Sequence, residues 1–223
     1  MKPKALLFWS SGKDSAWALH LLRNESRVNV VGLVTTFNAA FDRVAMHGVR
    51  RQLACDQAAA VGLPLWEVPL PWPCSNEIYE QQIKVLVEQA RSAGISAFAF
   101  GDLFLEEIRD YRIRQLAGTG IEPLFPAWTS ATRTGLLARQ MIDAGLRAKL
   151  VCIDPRQLPA RFAGREFDAT LLGELPEAVD PCGENGEFHT FCYAGPMFRQ
   201  EISVETAEVV ERDGFCFCDL RSA

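Results

Sequence analysis

The run Ser10-Ser11-Gly12-Lys13-Asp14-Ser15 stands between an apolar stretch, Ala5-Leu6-Leu7-Phe8-Trp9, and a helical pattern, Ala16-Trp17-Ala18-Leu19-His20-Leu21-Leu22. A strand that turns through small and hydroxyl residues straight into a helix leaves the first N–H groups of that helix unpaired. Together with the macrodipole these groups form an anion site. Gly12 lets the backbone approach closely, Lys13 adds positive charge, and Ser10, Ser11 and Ser15 offer hydroxyl donors, so the segment reads as a phosphate loop. Walker A spacing is excluded: it needs glycine five positions before Gly12, where Leu7 stands, and Ser or Thr after the lysine, where Asp14 stands. A Ser-rich N-cap on an ordinary helix is the plainer alternative, and the order strand, loop, helix disfavours it.

The same alternation continues for two thirds of the chain. Strands are predicted at 5–9, 28–36, 65–70, 97–100, 123–128 and 149–153, with helices near 15–23, 48–61, 75–93, 106–118 and 134–144. This pattern predicts an α/β fold, a parallel sheet with helices on both faces. Ligands of such sheets bind outside the carboxyl ends of the strands, where Ser10–Ser15, Thr35-Thr36 and Gly101-Asp102 fall. After Asp154 the prolines 155, 159, 176 and 181 break the chain up. Two β-prone runs, 201–212 and 215–220, then meet at Asp213-Gly214, a hairpin signal. The expected organisation is residues 1–130 as a nucleotide domain and 131–223 as a smaller α+β domain that binds substrate.

Apolar residues make up 48% and charged ones 23%, as in a globular protein with a proper core. With 23 basic and 28 acidic residues the net charge is −5, which disfavours a broad nucleic-acid surface. The apolar stretch behind Lys2 and Lys4 is too short for a signal-peptide core, and no segment suits a bilayer span. Seven cysteines form an odd set without a disulfide framework, so a cytoplasmic location is expected. The cysteines also lack paired C-x-x-C units, and no metal-ligand set is predicted from them. Homo-oligomer formation is compatible with this composition.

Three further constellations carry chemistry. A glycine and a carboxylate at a strand end, Gly101-Asp102, suit close approach to a nucleotide and a magnesium ion held through phosphate. On the helix beyond, Arg109 and Arg112 lie three apart, a spacing suited to clamping an anion, with Tyr111 between them; solvated arginines are the alternative. His47, expected at a helix start, is a candidate substrate contact or a simple cap. The densest polar segment is Asp180-Pro181-Cys182-Gly183-Glu184-Asn185-Gly186-Glu187-Phe188-His189-Thr190. Its carboxylates, amide, imidazole and hydroxyl, between glycines that permit sharp turns, suit binding of a polar substrate or ammonia and transfer of a proton; a plain turn at Asn185-Gly186 is the alternative.

The Ser10–Ser15 loop resembles the SGGxDS pyrophosphate loop of the ATP pyrophosphatases, with Ser11 in place of the first glycine. Taken with His47-Gly48-Val49, Gly101-Asp102, Tyr111-Arg112, Pro123-Leu124 and the 184–190 segment, nearly the whole chain resembles the diphthine–ammonia ligase family, and its Ala-, Arg- and Leu-rich composition points to a bacterial member. The resemblance implies a HUP-type, Rossmann-like domain with ATP at Ser10, Ser11, Gly12, Lys13, Asp14 and Ser15 and near Thr35, Thr36, Gly101 and Asp102. It implies Mg2+, and an AMP-forming ligase that adenylates a small-molecule or protein-borne carboxylate and transfers ammonia. Lys13, Asp14, Glu184, Glu187 and His189 are then expected in catalysis, and His47, Arg109, Tyr111, Arg112, Asn185, Gly186 and Thr190 in substrate binding. A tRNA sulfur-transfer enzyme and a nucleotide sensor of the same superfamily are the alternatives.

Overall fold

A computed structural model describes residues 2–25 and 27–223. Strands β1 (Lys4–Phe8), β2 (Asn29–Asn38), β4 (Leu65–Leu70), β5 (Ala97–Ala99) and β6 (Glu122–Leu124) form a parallel sheet in the order β4-β2-β1-β5-β6. The short β3 (Arg43–Val44) runs antiparallel to the end of β2, on the edge that β1 leaves free beyond Phe8. Helices α1 (Lys13–Glu25), α2 (Arg51–Val61), α3 (Asn76–Ser92) and α4 (Glu106–Leu116) link the strands. Local chemistry sets several boundaries: Ser75 caps α3 by accepting from the Ile78 N–H, and Gly62 ends α2 with a φ of 71°. The order reverses at β1, so the loops after β1 and β5 part there and leave a crevice between them.

After α5 (Thr134–Asp143) the chain builds a second, antiparallel sheet in the order β8-β7-β10-β9, from β7 (Arg147–Ile153), β8 (Phe188–Ala194), β9 (Val204–Arg212) and β10 (Phe215–Ser222). The short helix α6 (Ala169–Glu174), capped by Asp168, lies between β7 and β8. The architecture is therefore an α/β sheet of Rossmann type with a smaller C-terminal part. Asp213 and Gly214, at φ of 51° and 79°, make the turn between β9 and β10.

Some expectations differ. The strand at 149–153 does not continue the parallel sheet; as β7 it opens the second one, because its edges pair with β8 and β10. The strand predicted over 123–128 stops at Leu124, and the Phe125 carbonyl accepts from the Trp128 N–H in a turn. β8, which starts at Phe188 inside the polar segment, was not among the expected strands. His47 does not start a helix: Val44–Val49 is a tight hairpin, with Met46 and Gly48 at φ of 65° and 68°, and α2 begins only at Arg51. The two sheets share one core, in which Leu7, Trp9 and Leu19 join Leu150, Phe162 and Phe188. That shared core carries β8 to the first loop.

Candidate active site

The loop between β1 and α1 is built against β8. Its backbone turns at Ser11, whose φ of 72° lies in the left-handed region that favours glycine, and the buried Ser11 Oγ has no hydrogen-bond partner. Glycine would take this conformation without penalty, and Ser11 holds it under strain. A Cβ on Gly12 would stand 2.8 Å from His47 Cε1, so only glycine lets the histidine lie over the loop. The Ser15 hydroxyl donates to the Gly12 carbonyl at 3.0 Å and closes the turn.

Two direct hydrogen bonds and one bridging side chain fasten β8 onto this loop. The Lys13 N–H donates to Thr190 Oγ1 at 3.1 Å, and the Cys192 N–H to the Ser11 carbonyl at 2.9 Å. Buried Gln57 spans the joint, donating to the carbonyls of Ser11 (3.0 Å) and Cys192 (2.6 Å) while accepting from Trp9 Nε1 (2.7 Å). The Gly101 end of β5 closes the other side, where a Cβ would stand 2.8 Å from the Ser15 nitrogen and 2.9 Å from the Asp14 carbonyl carbon. Glycine at 101 is what allows strand and helix backbones to meet.

Lys13 is fully buried. Its ammonium donates to Asp14 Oδ2 (3.0 Å) and to the Cys182 carbonyl, and lies 5.3 Å from the ring centres of both Phe167 and Phe188. Burial is the largest influence and works against this charge, yet Asp14, through its charge and its hydrogen bond, together with Cys182 and Glu184, outweighs burial and holds Lys13 above its ordinary range. The lysine expected to face phosphate is also an internal tie between the loop and the C-terminal part. Three carboxyls line the cleft with it. Burial raises Asp14 and Asp102 above the usual range, and Glu184, whose Oε1 accepts from the Leu103 N–H at 2.7 Å, is pushed by burial and by Asp14 up to about 8.

Over the loop, the rings of His47 and His189 face each other at 4.6 Å and 31°. His47 Nδ1 lies 3.1 Å from the Thr190 carbonyl, and because a carbonyl only accepts, Nδ1 carries the proton and Nε2 is left as an acceptor. Burial holds both imidazoles neutral: His47 lies well below its ordinary value, further lowered by His189, and His189 falls to about 4, helped by Lys13.

These groups line one cleft of about 570 Å³ between the two sheets. Of the expected residues, Ser10, Lys13, Asp14, Ser15, Thr36, His47, Gly101, Asp102, Arg112, Glu184, His189 and Thr190 meet there. Ser11 and Gly12 shape the loop beneath it. The others are placed elsewhere. Thr35 is buried and its hydroxyl donates to the Trp9 carbonyl, which leaves Thr36 to face the cleft. Arg109 and Arg112 do not form a clamp: Arg109 turns onto the rings of Trp128 and Phe125, whereas Arg112 covers Phe100, donates to the Tyr79 hydroxyl at 2.9 Å and lies 3.8 Å from Asp102. The Tyr111 hydroxyl accepts from Gln115, away from the cleft. Glu187 is buried outside the cleft lining, where its Oε1 accepts from the Asp180 N–H and from Asn185 Nδ2; Glu187 and Asn185, with Gly186 at a φ of 84°, therefore shape the segment.

Several residues of the site escaped the sequence reading. Asp180, read only as the start of the polar segment and not as a site residue, shapes the turn by accepting from the Cys182 and Glu184 N–H groups, and an aspartate before Pro181 in a glycine-containing segment was a readable sign of such a turn. Gln57 was a second: a lone amide among the buried apolar residues of α2. Phe8, Phe100, Trp72 and Tyr79 also line the cleft, and hydrophobicity alone does not tell such residues from core.

Residues 2–119 match the family described as diphthamide synthase N-terminal domain, and residues 133–223 match the diphthamide synthase C-terminal domain. The chain is similar to the human diphthine–ammonia ligase, at 29% identity over 151 residues, covering 65% of this chain and 54% of the human protein. The bovine enzyme of the same name is 27% identical over an equal span, and that of Danio rerio is 27% identical over 225 residues, covering 90% of this chain and 86% of the relative. The chain thus spans about half the length of the mammalian relatives it matches. No helix among the described residues is long and apolar enough to cross a membrane. With both of its parts matched, the chain belongs to the diphthamide synthase, or diphthine–ammonia ligase, family.

Proposed function

We propose that this chain is an ATP-dependent, AMP-forming ligase that activates a carboxylate and transfers ammonia to it. Residues 1–130 serve the nucleotide and residues 131–223 the acceptor. The observation that carries this reading is the joint itself. β8 binds the first turn of α1 through Thr190, so Glu184 and His189 look into the same cleft as Ser10, Asp14 and Ser15.

The chemistry follows from these positions. The helix N-terminus and the loop hydroxyls receive the phosphates, and the adenosine lies toward Thr36, Tyr79 and Phe100. An acceptor carboxylate oxygen attacks the α-phosphorus and the bond to the pyrophosphate oxygen breaks, giving an acyl-adenylate. Ammonia then attacks the acyl carbon, AMP departs, and the extra proton on nitrogen goes to a base. Glu184 suits that base, because a carboxyl titrating at about 8 can take a proton from ammonium near neutral pH and release it again. The neutral imidazole of His189 can donate one hydrogen bond to hold the acceptor carboxylate in line.

A divalent cation fits the carboxyl pair at the loop. Asp14 Oδ1 is buried with no partner, and Asp102 Oδ2 is buried with no hydrogen bond and only Arg112 Nε at 3.8 Å; such carboxylate oxygens are the donor type that magnesium takes beside phosphate oxygens. When bound, magnesium would offset negative charge on the leaving pyrophosphate. A sulfur-transfer reading finds no support at the loop, where Cys182 and Cys192 are buried and burial pushes both thiols far up.

The test separates binding from transfer. Glu184→Gln should keep ATP affinity within about two-fold while ammonium-dependent AMP release falls on the order of 10²-fold, the scale of a general base. Full activity in this variant removes Glu184 from the reaction.

A further inference from the structure

Beyond the nucleotide cleft lies a second pocket of about 240 Å³, between the β3 hairpin and the β9–β10 hairpin. Asn38, Val44, Ala45, Met46, Trp72 and His189 line both, so His189 is part of the wall they share. The outer walls of the second pocket are aromatic: Phe215 and Phe217 project from one face of β10, with ring centres 6.4 Å apart, and Phe41 meets Trp72 edge to face at 5.9 Å. Three of the large hydrophobic side chains most exposed to solvent, Phe41, Met46 and Trp72, gather at this mouth. Clustered exposure of this kind costs solubility and marks a binding surface.

We propose that this pocket binds the body of the acceptor, and that the acceptor is a carboxylic acid with an apolar, ring-bearing or extended alkyl body whose carboxylate points past His189 toward the nucleotide. The proposal rests on the ligase reading only for the direction of that carboxylate. The charged side chains of the wall are paired with one another or stand exposed at its rim, so the lining offered to the body of the acceptor is apolar. Of the lining carboxylates, Asp219 is already held by Arg43 (2.9 Å) and Arg50, and Asp213 sits exposed at the hairpin tip. Arg212 covers Phe41 at 6.0 Å. The hairpin wall is also fixed in place: a Cβ on Gly48 would stand 2.8 Å from the Phe217 ring, so the turn carrying His47 packs directly on the aromatic lining.

The experiment measures equilibrium binding of acetate, butyrate, hexanoate, 1-naphthoate and succinate to the protein saturated with α,β-methylene-ATP, in which no bond is cleaved. Affinity should rise about three- to four-fold per methylene from acetate to hexanoate, the increment expected for a buried CH₂. 1-Naphthoate should bind and succinate should not. Phe217→Ala and, independently, Phe215→Ala should weaken 1-naphthoate at least about ten-fold with the affinity for the ATP analogue unchanged. Succinate binding as tightly as hexanoate, or 1-naphthoate affinity within two-fold of wild type in both variants, overturns the proposal. The two readings fail separately. Binding of 1-naphthoate that Phe217→Ala removes, with no acid promoting AMP release from ATP, keeps the pocket and discards the ligase. AMP release with succinate and not with hexanoate keeps the ligase and discards the pocket.

Discussion

Replacing Lys13 with methionine tests the double use of that residue. Methionine keeps an apolar stem between Phe167 and Phe188 and removes only the ammonium, leaving Asp14 Oδ2 and the Cys182 carbonyl without their donor. Breaking a buried ion pair from one side costs about 3–5 kcal/mol, and in a chain of this size each kcal/mol moves Tm by about 2–4 °C. Lys13→Met should therefore melt about 6–20 °C below wild type without any nucleotide present. The cost has a ceiling, because Asp14, already raised by burial, protonates once its partner is gone. Asp14→Asn in the Lys13→Met background should accordingly cost little. A double-mutant cycle followed by urea unfolding at pH 7 should give a coupling energy of about 2 kcal/mol or more. A Lys13→Met variant that melts within about 2 °C of wild type, or additivity within about 0.5 kcal/mol, refutes the tie and returns Lys13 to a phosphate contact alone.

Further expectations follow from the same geometry. Ser11→Gly should stabilise the protein by up to about 1 kcal/mol in urea unfolding, since relief of a left-handed serine, about 1–2 kcal/mol, outweighs the added freedom of glycine in the unfolded chain, about 0.5–1 kcal/mol; a loss above 1 kcal/mol would show that the hydroxyl has a partner. Gly101→Ala pushes a Cβ into the backbone of α1 and should cost about 1–3 kcal/mol together with nucleotide affinity, readable by melting with and without ATP; an unchanged protein contradicts the close approach. Glu184 is held protonated up to about 8 against an ordinary 4.5, so the unfolded chain releases its proton first and wild-type stability is lost as pH rises through that window. Glu184→Gln should therefore gain stability over wild type progressively from about pH 4.5 to 8, and a flat difference would mean that the carboxyl ionises normally. His189, lowered to about 4, acts the other way, and His189→Gln should reduce the loss of stability between about pH 6.5 and 4 seen on acidification.

How far the sequence could be read depended on whether function was local in the chain. The turn from β1 into α1, the Gly101 approach and the Asp213-Gly214 turn are spelled out by neighbouring residues, and the structure has a strand, turn or helix end at each. Contacts across the fold left weaker traces. Nothing in the spacing of Arg109 and Arg112 tells that Trp128 draws one guanidinium outward while Phe100 and Tyr79 draw the other in. Glu184 and Glu187 are equivalent as letters. Only the turn made by Asp180 and Gly183 sends one into the cleft and the other beneath the segment, where the Asp180 N–H holds it. β8 was hidden because its first residues, Phe188 to Thr190, belong to the polar segment, and the second sheet it joins forms between strands distant in sequence.

The central claim is that ATP bound in the cleft is cut between its α- and β-phosphates in the service of amide formation. Its most direct test is the fate of [α-³²P]ATP incubated with this protein, magnesium, ammonium and a panel of carboxylic acids, with wild type and Glu184→Gln side by side. The account predicts labelled AMP with equimolar pyrophosphate, dependent on both acid and ammonium in the wild type and strongly reduced in the variant. Labelled ADP with inorganic phosphate would contradict it.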